Sequence, residues 1–276
     1  MGAKIHPLAV VDPSAEIADG VRIGPFAVIE ADVTIGRDCE IRSGAVVRRF
    51  TTMGAGNVVD TGCVLGGHPQ DLKFDPESRT WLKIGEGNVF REHVTLSRAT
   101  TPGGATVIGS GCFFMTGSHV GHDSTVGDGV ILVNGAALAG HVEVGPRAML
   151  SANTGVHQFC WVGELVMTRG QAGASQHVPP FCILKGINGL SGLNRVGLRR
   201  AGVTAAEAAQ VKEAYRILYR SGLTTSAALE QMDAHAEWGA PADRFRRFVR
   251  RVLEAKPPFQ RGLCRERAEG RDEDDS

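Results

Sequence analysis

The sequence lacks a net charge, a paired cysteine motif and a long hydrophobic run, and each absence argues against a class of protein. Lys plus Arg and Asp plus Glu number 30 each, so the formal net charge is zero and gives no reason to expect nucleic-acid binding or a charged membrane surface. None of the six cysteines forms a CxxC pair, which argues against a zinc knuckle or a thioredoxin-type motif. The N-terminal segment MGAKIHPLAV has no long apolar stretch, so we expect neither a signal peptide nor a transmembrane helix.

A repeat of six residues dominates the first part of the chain. Period 6 fits neither a helix, with 3.6 residues per turn, nor a simple alternating strand. It is the hexapeptide signature of a parallel β-helix, in which each coil has three short strands and three corners. Residues 18 apart therefore stack on one another, and the sequence predicts an all-β solenoid. The repeated positions are Ile5, Val11, Ile17, Ile23, Ile29, Ile35, Ile41, Val47, Met53, Val59 and Leu65.

Two insertions interrupt the repeat. Residues 66–81 (GGHPQDLKFDPESRTW) and residues 97–106 (SRATTPGGAT) have the Gly, Pro and charge content of loops that leave the solenoid. The repeat continues from Ile108 and stops at Pro179, which implies roughly nine coils. Two cysteines occupy the fifth hexad position, where small buried residues are expected. We interpret these two, Cys39 and Cys63, as core residues, which suits a reducing cytoplasm.

The character of the sequence changes to helical after about residue 188. Thr204 followed by Glu207 is a capping box, and an apolar stripe at helical spacing follows it. Two more helices are predicted near residues 225–238 and 242–255. We therefore predict a β-helix domain over residues 1–187, a helical domain over residues 188–256 that covers the open end of the solenoid, and a disordered tail over residues 257–276, which carries the charge run EGRDEDDS.

Four of the nine histidines fall in the last block of repeats. The 18-residue stacking places the hexads that start at Val120, Leu138 and Val156 on one face of three successive coils. One side of the solenoid is therefore predicted to carry a vertical strip of imidazoles with a carboxylate and an amide. The strip consists of His119, His122, Asp123, His141, His157 and Gln158.

Three interpretations of this strip remain open from the residues alone. The histidines could be polar surface residues without a role. Three stacked histidines could hold zinc, as in the γ-class carbonic anhydrases. Acid–base catalysis is the third, because a carboxylate bonded to one ring nitrogen fixes the tautomer and raises the basicity of the other nitrogen.

The segments around the strip resemble one family. They are GSHVGHDSTVGDGVILVNGAALAGHVEVG (117–145), GVHQFCWVG (155–163), GHPQDLKF (67–74), FREHVTLSRAT (90–100), HVPPFCILKG (177–186), GLNRVGLRRAG (192–202) and AYRILYRSG (214–222). They are similar to the UDP-N-acetylglucosamine O-acyltransferases, which catalyse the first step of lipid A biosynthesis. The resemblance covers nearly the whole chain up to about residue 255 and implies a left-handed parallel β-helix with a C-terminal helical domain.

The resemblance also implies roles for individual residues. His122 would be the general base for the sugar 3-hydroxyl, Asp123 would orient it, and the Gly140 N–H would stabilise the oxyanion. His119, His141, His157 and Gln158 would hold the sugar nucleotide and the acyl chain. Gln70, Lys73, Asn194 and Arg200 would contact the nucleotide, while Met167 and Gly170 would line the acyl groove.

The partners implied by the resemblance are two further copies of the chain and acyl carrier protein. Family members are homotrimers with active sites between neighbouring solenoids. The donor is a 3-hydroxyacyl group on the phosphopantetheine of acyl carrier protein, so neither a separate cofactor nor a metal is expected. A basic face on the third helix would either receive this acidic protein or be an ordinary solvated face. It carries Arg244, Arg246, Arg247, Arg250 and Arg251.

The chain departs from the family pattern at several positions. The usual His-Arg-Gly-Thr reads Ser97-Arg98-Ala99-Thr100, and the usual Asn-Ile-Glu-Gly reads Asn194-Arg195-Val196-Gly197. Ala201 replaces one of a pair of arginines, and Arg169 stands where a glycine is common. These differences leave open an acceptor such as a 3-amino sugar nucleotide. The alternatives are a related sugar N-acyltransferase or acetyltransferase, or a zinc-binding β-helix protein. The N-acyltransferases usually carry an N-terminal uridine-binding domain, and a repeat that begins by residue 5 argues against them.

Overall fold

The protein folds as a three-sided parallel β-helix followed by four helices. The computed structural model describes residues 2–235 and 237–267. Strands of two to five residues recur along the solenoid with short turns between them. In chain order the strands are β1 (Lys4–Ile5), β2 (Val10–Val11), β3 (Glu16–Ile17), β4 (Arg22–Ile23), β5 (Val28–Ile29), β6 (Thr34–Ile35), β7 (Glu40–Ile41), β8 (Val46–Val47), β9 (Thr51–Met53), β10 (Val58–Val59), β11 (Val64–Gly67), β12 (Trp81–Ile84), β13 (Val89–Phe90), β14 (Thr95–Ser97), β15 (Ala105–Ile108), β16 (Phe113–Phe114), β17 (His119–Val120), β18 (Thr125–Val126), β19 (Ile131–Leu132), β20 (Ala137–Leu138), β21 (Glu143–Val144), β22 (Met149–Leu150), β23 (Gly155–Val156), β24 (Trp161–Val162), β25 (Met167–Thr168), β26 (Gly173–Ala174), β27 (Cys182–Lys185), β28 (Gly189–Leu193) and β29 (Arg265–Glu266).

Every third strand of the solenoid belongs to the same sheet. Sheet A has the order β1-β4-β7-β10-β13-β16-β19-β22-β25-β27-β28-β29, sheet B runs from β2 to β26 and sheet C from β3 to β24. Ile5 pairs with Ile23 and Val11 with Ile29, which confirms the predicted stacking of residues 18 apart. The two insertions change this spacing, because Val59 pairs with Phe90 and Phe90 with Phe114. The coils themselves stay in register, so the insertions bulge outward as loops.

From the second coil onward the aliphatic position of the hexads points inward and forms the core, whereas Ile5, in the first coil, is 46% exposed. Ile29, Val47 and Leu138 are at most 1% exposed, and the same holds along most of the solenoid. All six cysteines are free and buried, and burial raises the pKa of the Cys63 thiol to about 11. The interpretation of Cys39 and Cys63 as core residues is therefore confirmed.

Four helices follow the solenoid: α1 (Arg195–Arg200), α2 (Ala205–Arg220), α3 (Thr225–Asp233) and α4 (Ala240–Leu253). The capping box predicted at Thr204 and Glu207 begins α2. The last helix, α4, starts two residues earlier than predicted, with Gly239 as its N-cap and a proline in its first turn. None of the described helices is long and apolar enough to cross a membrane.

The helices lie against the last coils of the solenoid. Nε of Arg244 donates to the carboxylate of Glu164, and Arg251 is 2.6 Å from the carboxylate of Glu143. The guanidinium of Arg251 also lies 3.7 Å from the ring centre of Trp161. These contacts tie α4 to sheet C at the end of the solenoid, where the helices were predicted to lie.

Two expectations at the C-terminal end differ from the structure. The residues just after 188 form strand β28, which pairs antiparallel with β27, so a hairpin and not a helix ends the solenoid. In the predicted disordered tail, residues 257–267 are ordered: β29 pairs with β28, and Cys264 is fully buried. The remainder of that tail, residues 268–276, lies outside the described residues. The division of the chain at residue 187 stays a prediction.

Candidate active site

His122 and Asp123 lie in the turn between β17 and β18, at the corner of sheets B and C. Asp123 has a φ of +57°, in the left-handed region that aspartate tolerates better than most residues. Consecutive residues of a strand point to opposite faces, but this turn brings the two side chains together. Nδ1 of His122 lies 2.8 Å from Oδ2 of Asp123.

The second insertion holds the Asp123 carboxylate in place. The backbone N–H of Thr100 donates to both carboxylate oxygens at 3.1 and 3.2 Å, and its hydroxyl donates to Oδ2 at 2.7 Å. Burial raises the pKa of Asp123, but the hydrogen bonds from His122 and Thr100 outweigh it and leave this pKa below its usual value. The carboxylate is therefore ionised and accepts a hydrogen bond from the Nδ1–H of His122. Nε2 of His122 is then the free basic nitrogen.

His141 lies one coil further along, directly beside this pair. Its Nε2 is 3.6 Å from Oδ2 of Asp123, and its ring meets that of His122 edge-on with centroids 5.2 Å apart. The ring of Phe159, from the next coil, stacks on His141 at 4.6 Å. Burial lowers the pKa of His141, which keeps this imidazole neutral at pH 7.

Gly140 packs against the ring of His122 and has room for no side chain. A Cβ at this position would lie 2.4 Å from Cε1 of His122, closer than real carbon contacts. Within the described part of the chain no atom accepts a hydrogen bond from the Gly140 N–H. A free backbone donor beside a basic imidazole is the arrangement that stabilises an oxyanion during acyl transfer.

His122 and Gly140 line a groove of about 610 Å³ on the sheet B side. Gln70, from the first insertion, and Ser97 line it with the polar strip. Its floor beyond the histidines is made of small residues, including Ala137, Gly155 and Gly173. Of the residues predicted for the site, the groove contains Gln70, His119, His122, Gly140, His157 and Gln158.

Five predicted residues lie elsewhere in the single chain. Met167 is on the outer face of sheet A, and Gly170 is in the turn between β25 and β26. Lys73 and Arg200 are exposed on the first insertion and at the end of α1. Asn194 is 8% exposed and caps α1: its Oδ1 accepts the Gly197 N–H at 2.8 Å, and its Nδ2 donates to the Leu165 carbonyl at 2.9 Å. Its polar atoms are thus occupied within the protein.

Sequence patterns carried no signal for the contribution of Thr100 and Phe159. The spacing of 18 breaks at the second insertion, so Thr100 could not be placed beside Asp123, 23 positions later. The sequence also did not predict the contact of Thr106, whose hydroxyl accepts a hydrogen bond from the Asp123 N–H at 2.8 Å. Phe159 follows Gln158 in the HQF segment, and its contact with His141 was missed because its φ of +63° redirects the side chain at the corner.

The group formed by His122, Asp123 and His141 has the composition of a metal site. One ligand atom from each residue lies within 4.8 Å of the others. Zinc binds such nitrogen and carboxylate ligands, and a catalytic zinc ion with three protein ligands keeps its fourth coordination position for water or substrate. The geometry therefore leaves both metal binding and acid–base catalysis chemically possible.

The predicted basic face of α4 is largely neutralised. Each of its five arginines has a carboxylate partner within the chain. The pairs are Arg244 with Glu164, Arg246 with Asp233 and Asp243, Arg247 with Asp243, Arg250 with Asp233, and Arg251 with Glu143.

Comparison with known protein families agrees with the geometry. The family described as Udp N-acetylglucosamine O-acyltransferase, domain 2, matches residues 177–264, and the bacterial transferase hexapeptide family matches residues 14–49 and 105–140. An acyl-[acyl-carrier-protein]–UDP-N-acetylglucosamine O-acyltransferase of Anaeromyxobacter sp. (strain Fw109-5) is 44% identical over 263 residues, 95% of this chain and 99% of its own. That of Burkholderia orbicola is 45% identical over 264 residues, with the same coverage of both chains.

Solved structures show the same architecture. The UDP-N-acetylglucosamine acyltransferase of Francisella novicida superimposes with a TM-score of 0.88 at 34% identity, covering 95% of this chain and 94% of its own. The Bacteroides fragilis enzyme gives 0.86 at 36% identity, covering 95% and 100%. These likenesses confirm the predicted left-handed β-helix of hexapeptide repeats with a C-terminal helical region. The chain belongs to the UDP-N-acetylglucosamine O-acyltransferase family.

Proposed function

We propose that this protein transfers a 3-hydroxyacyl chain from acyl carrier protein to the 3-hydroxyl of UDP-N-acetylglucosamine, the first step of lipid A biosynthesis. The observation that carries the proposal is the hydrogen-bonded series Thr100–Asp123–His122 with the free Gly140 N–H beside it. A base, its orienting carboxylate and an oxyanion donor are the three groups that acyl transfer to a hydroxyl needs.

The chemistry follows from these positions. Nε2 of His122 removes the proton of the sugar 3-hydroxyl while its oxygen attacks the thioester carbonyl carbon. The Gly140 N–H donates to the oxygen that becomes negative in the tetrahedral intermediate. When the intermediate collapses, the C–S bond breaks, and the phosphopantetheine thiolate takes the proton from His122. The carboxylate of Asp123 stabilises the imidazolium between the two proton transfers.

The acyl chain arrives on its carrier protein, so we expect no further cofactor and a cytoplasmic reaction. The histidine end of the groove suits the sugar, while the glycine and alanine floor suits an extended alkyl chain. Gln70 would contact the nucleotide sugar from the first insertion. Lys73 and Arg200, exposed in one chain, would reach the phosphates, and Asn194 would act on the nucleotide only through the position of α1.

An apolar column on sheet A supports a homotrimer. Seven successive outward positions of this sheet are aliphatic, methionine or phenylalanine, and all are only partly buried in the single chain. A second copy that covered this column with its sheet B would bring Met167 and Gly170 of one subunit to the groove of the next, where the acyl chain would lie. The column is Val58, Val89, Phe113, Ile131, Met149, Met167 and Ile183.

The trimer is tested by mass in solution. Met149→Glu would place a carboxylate inside the covered column and convert the trimer to monomer. Thr125→Glu, at an exposed outward position of sheet C, is the matched control and should leave the trimer intact. Light scattering that finds wild-type monomer, or a Met149→Glu trimer, would contradict the arrangement.

Docking of acyl carrier protein on α4 stays a prediction. The five arginines face four carboxylates, which leaves only a small excess of positive charge on this helix. Loss of affinity for acyl carrier protein in Arg247→Glu, whose side chain is 73% exposed, would support docking there.

A 3-amino sugar nucleotide is the second candidate acceptor. Ser97, only 4% exposed, lines the groove where the family commonly has histidine, so the surroundings of the sugar differ from the usual pattern. Mass spectrometry of the products formed from a panel of UDP-sugars and acyl-carrier-protein thioesters decides between the two. Transfer to UDP-N-acetylglucosamine supports the ester product, transfer only to the 3-amino sugar supports an amide, and no transfer with any pair contradicts both. Stoichiometric zinc in the purified, unsupplemented protein would favour a metal-binding protein instead.

A further inference from the structure

We propose that the C-terminal segment 256–264 supports the catalytic site from beside the groove, with Phe259 as a positioning residue for His141. The proposal rests on the proposed acyl transfer for its kinetic consequences. Phe259 holds the ring of Phe159, and Phe159 holds His141 beside Asp123. The composition of residues 257–276 predicts disorder, and therefore no role in the site.

The contacts form a continuous series of rings. His141 and Phe159 stack with centroids 4.6 Å apart and planes 16° from parallel. Phe159 meets the edge of Phe259 at 5.3 Å and 82°. On its other side Phe259 stacks on Trp161 at 5.5 Å. Stacked and edge-on pairs at these distances are the favoured aromatic geometries.

Packing, and not hydrogen bonding, fixes the orientation of His141. Its Nε2 is 3.6 Å from Asp123, beyond a normal hydrogen bond, and its side chain is 30% exposed. The stacked ring of Phe159 therefore limits its rotation most directly. Phe159 also donates its N–H to the carbonyl of Gly140 at 3.2 Å, so the same residue supports the peptide next to the predicted oxyanion donor.

Phe259 is itself held by a buried histidine. Nε2 of His177 donates to the Phe259 carbonyl at 2.8 Å, and Nδ1 of His177 accepts the Trp161 N–H at 3.0 Å. The rings of His177 and Trp161 stack at 4.3 Å. The segment is thus fixed to the last coils beside the groove. Phe259 is therefore held in place and can restrict the movement of the Phe159 ring that packs on it.

The kinetic test compares variants of the full-length protein. Phe259→Ala removes the ring that supports Phe159, and we expect kcat/KM for the nucleotide sugar to fall roughly ten- to hundredfold because His141 is misplaced. KM for acyl carrier protein should stay within about twofold of the wild-type value, and Phe259→Tyr, which keeps the ring, should restore the activity.

Tyr219→Phe is the matched control. It removes the hydrogen bond of 3.0 Å to the Cys264 carbonyl and so loosens the same segment without touching Phe159. Wild-type kcat/KM in Phe259→Ala would overturn the proposal. So would equal losses of activity in Phe259→Ala and Tyr219→Phe, because these would indicate a merely structural role. If Phe259→Ala does not fold, Phe259→Leu replaces it.

A crystal structure of the Phe259→Ala protein tests the positioning itself. We expect the rings of Phe159 and His141 to rotate while His119, whose Nδ1 lies 2.8 Å from the Thr95 hydroxyl, stays in place. Unchanged rings would overturn the proposal even if activity fell. This readout does not depend on the reaction, so failure of the wild-type protein to transfer acyl groups would contradict the proposed function alone.

Discussion

Nδ1 of His122 lies 2.8 Å from Oδ2 of Asp123, although the two residues are consecutive in the chain. In a strand they would point to opposite faces. The corner of the β-helix, with Asp123 at a φ of +57°, brings the two side chains together. A hexad corner thus places the proposed base and its proposed orienting carboxylate on adjacent residues.

Thr100→Val should lower kcat without unfolding the protein. The variant loses the hydroxyl bond to Asp123 but keeps the backbone N–H, so the carboxylate stays in place with one donor fewer. A hydrogen bond to a charged group contributes about 1.5–3 kcal/mol, which corresponds to a loss of roughly ten- to hundredfold. Thr100→Ser is the control and should retain most of the activity. Equal rates for the two variants would argue against a role for the hydroxyl.

Gly140→Ala should abolish most of the activity. The added Cβ would lie 2.4 Å from Cε1 of His122 and would push the imidazole out of position. Gly155→Ala adds a methyl group to the same groove, where no atom lies within 4 Å of the new Cβ. A loss of more than about a hundredfold in kcat is expected for the first variant. Comparable kcat values in the two variants would contradict the close packing of Gly140 on His122.

Arg98 should affect the affinity for the nucleotide sugar. This fully buried guanidinium donates to the carbonyls of Pro76 and Ser78 at 3.0 Å each, and so fixes the insertion that carries Gln70. Arg98→Lys cannot make both bonds, so we expect KM for the nucleotide sugar to rise by roughly tenfold with a smaller change in kcat. Arg79→Lys, on the same insertion, should leave KM unchanged. If Arg98→Lys lowered the melting temperature but left KM for the nucleotide sugar unchanged, this role would be refuted.

The unfolding free energy should fall below about pH 6.5. Burial lowers the pKa of His177 in the folded protein from its ordinary 6.5, and burial also lowers the pKa values of His68, His119 and His141. The unfolded chain therefore binds protons near pH 6.5 that the folded chain takes up only at lower pH. Stability is fully present above this range, declines as the pH falls through it, and levels off below the folded pKa values.

Urea unfolding at pH 7.5, 6.5 and 5.5, at one fixed protein concentration, measures this decline. His177→Phe removes one of the four histidines, and its unfolding free energy should depend less steeply on pH than that of the wild-type protein. If the unfolding free energy changed equally with pH in the two proteins, His177 would not contribute to the pH dependence.

The sequence was sufficient for the solenoid because one inward aliphatic residue per hexad is a local and strict pattern. It also placed His122 and His141 together, since stacking by 18 residues needs no knowledge of the loops. It failed where contacts cross an insertion or a chain end. Thr100 reaches Asp123 from a loop, and Phe259 reaches Phe159 from a segment whose composition suggested disorder. The side chain of Asn194 caps α1, and its contact with the nucleotide, which the resemblance implies, stays a prediction.

The most direct test of the central claim is the rate of acyl transfer by His122→Gln, measured as acylated UDP-N-acetylglucosamine by mass spectrometry. Glutamine keeps much of the shape and polarity of histidine but cannot accept the proton of the sugar hydroxyl. We predict a fall in kcat of about 10²–10⁴ with the oligomer and its thermal stability unchanged. A variant that retained activity within a few-fold of the wild-type protein would contradict the role of His122 as the base.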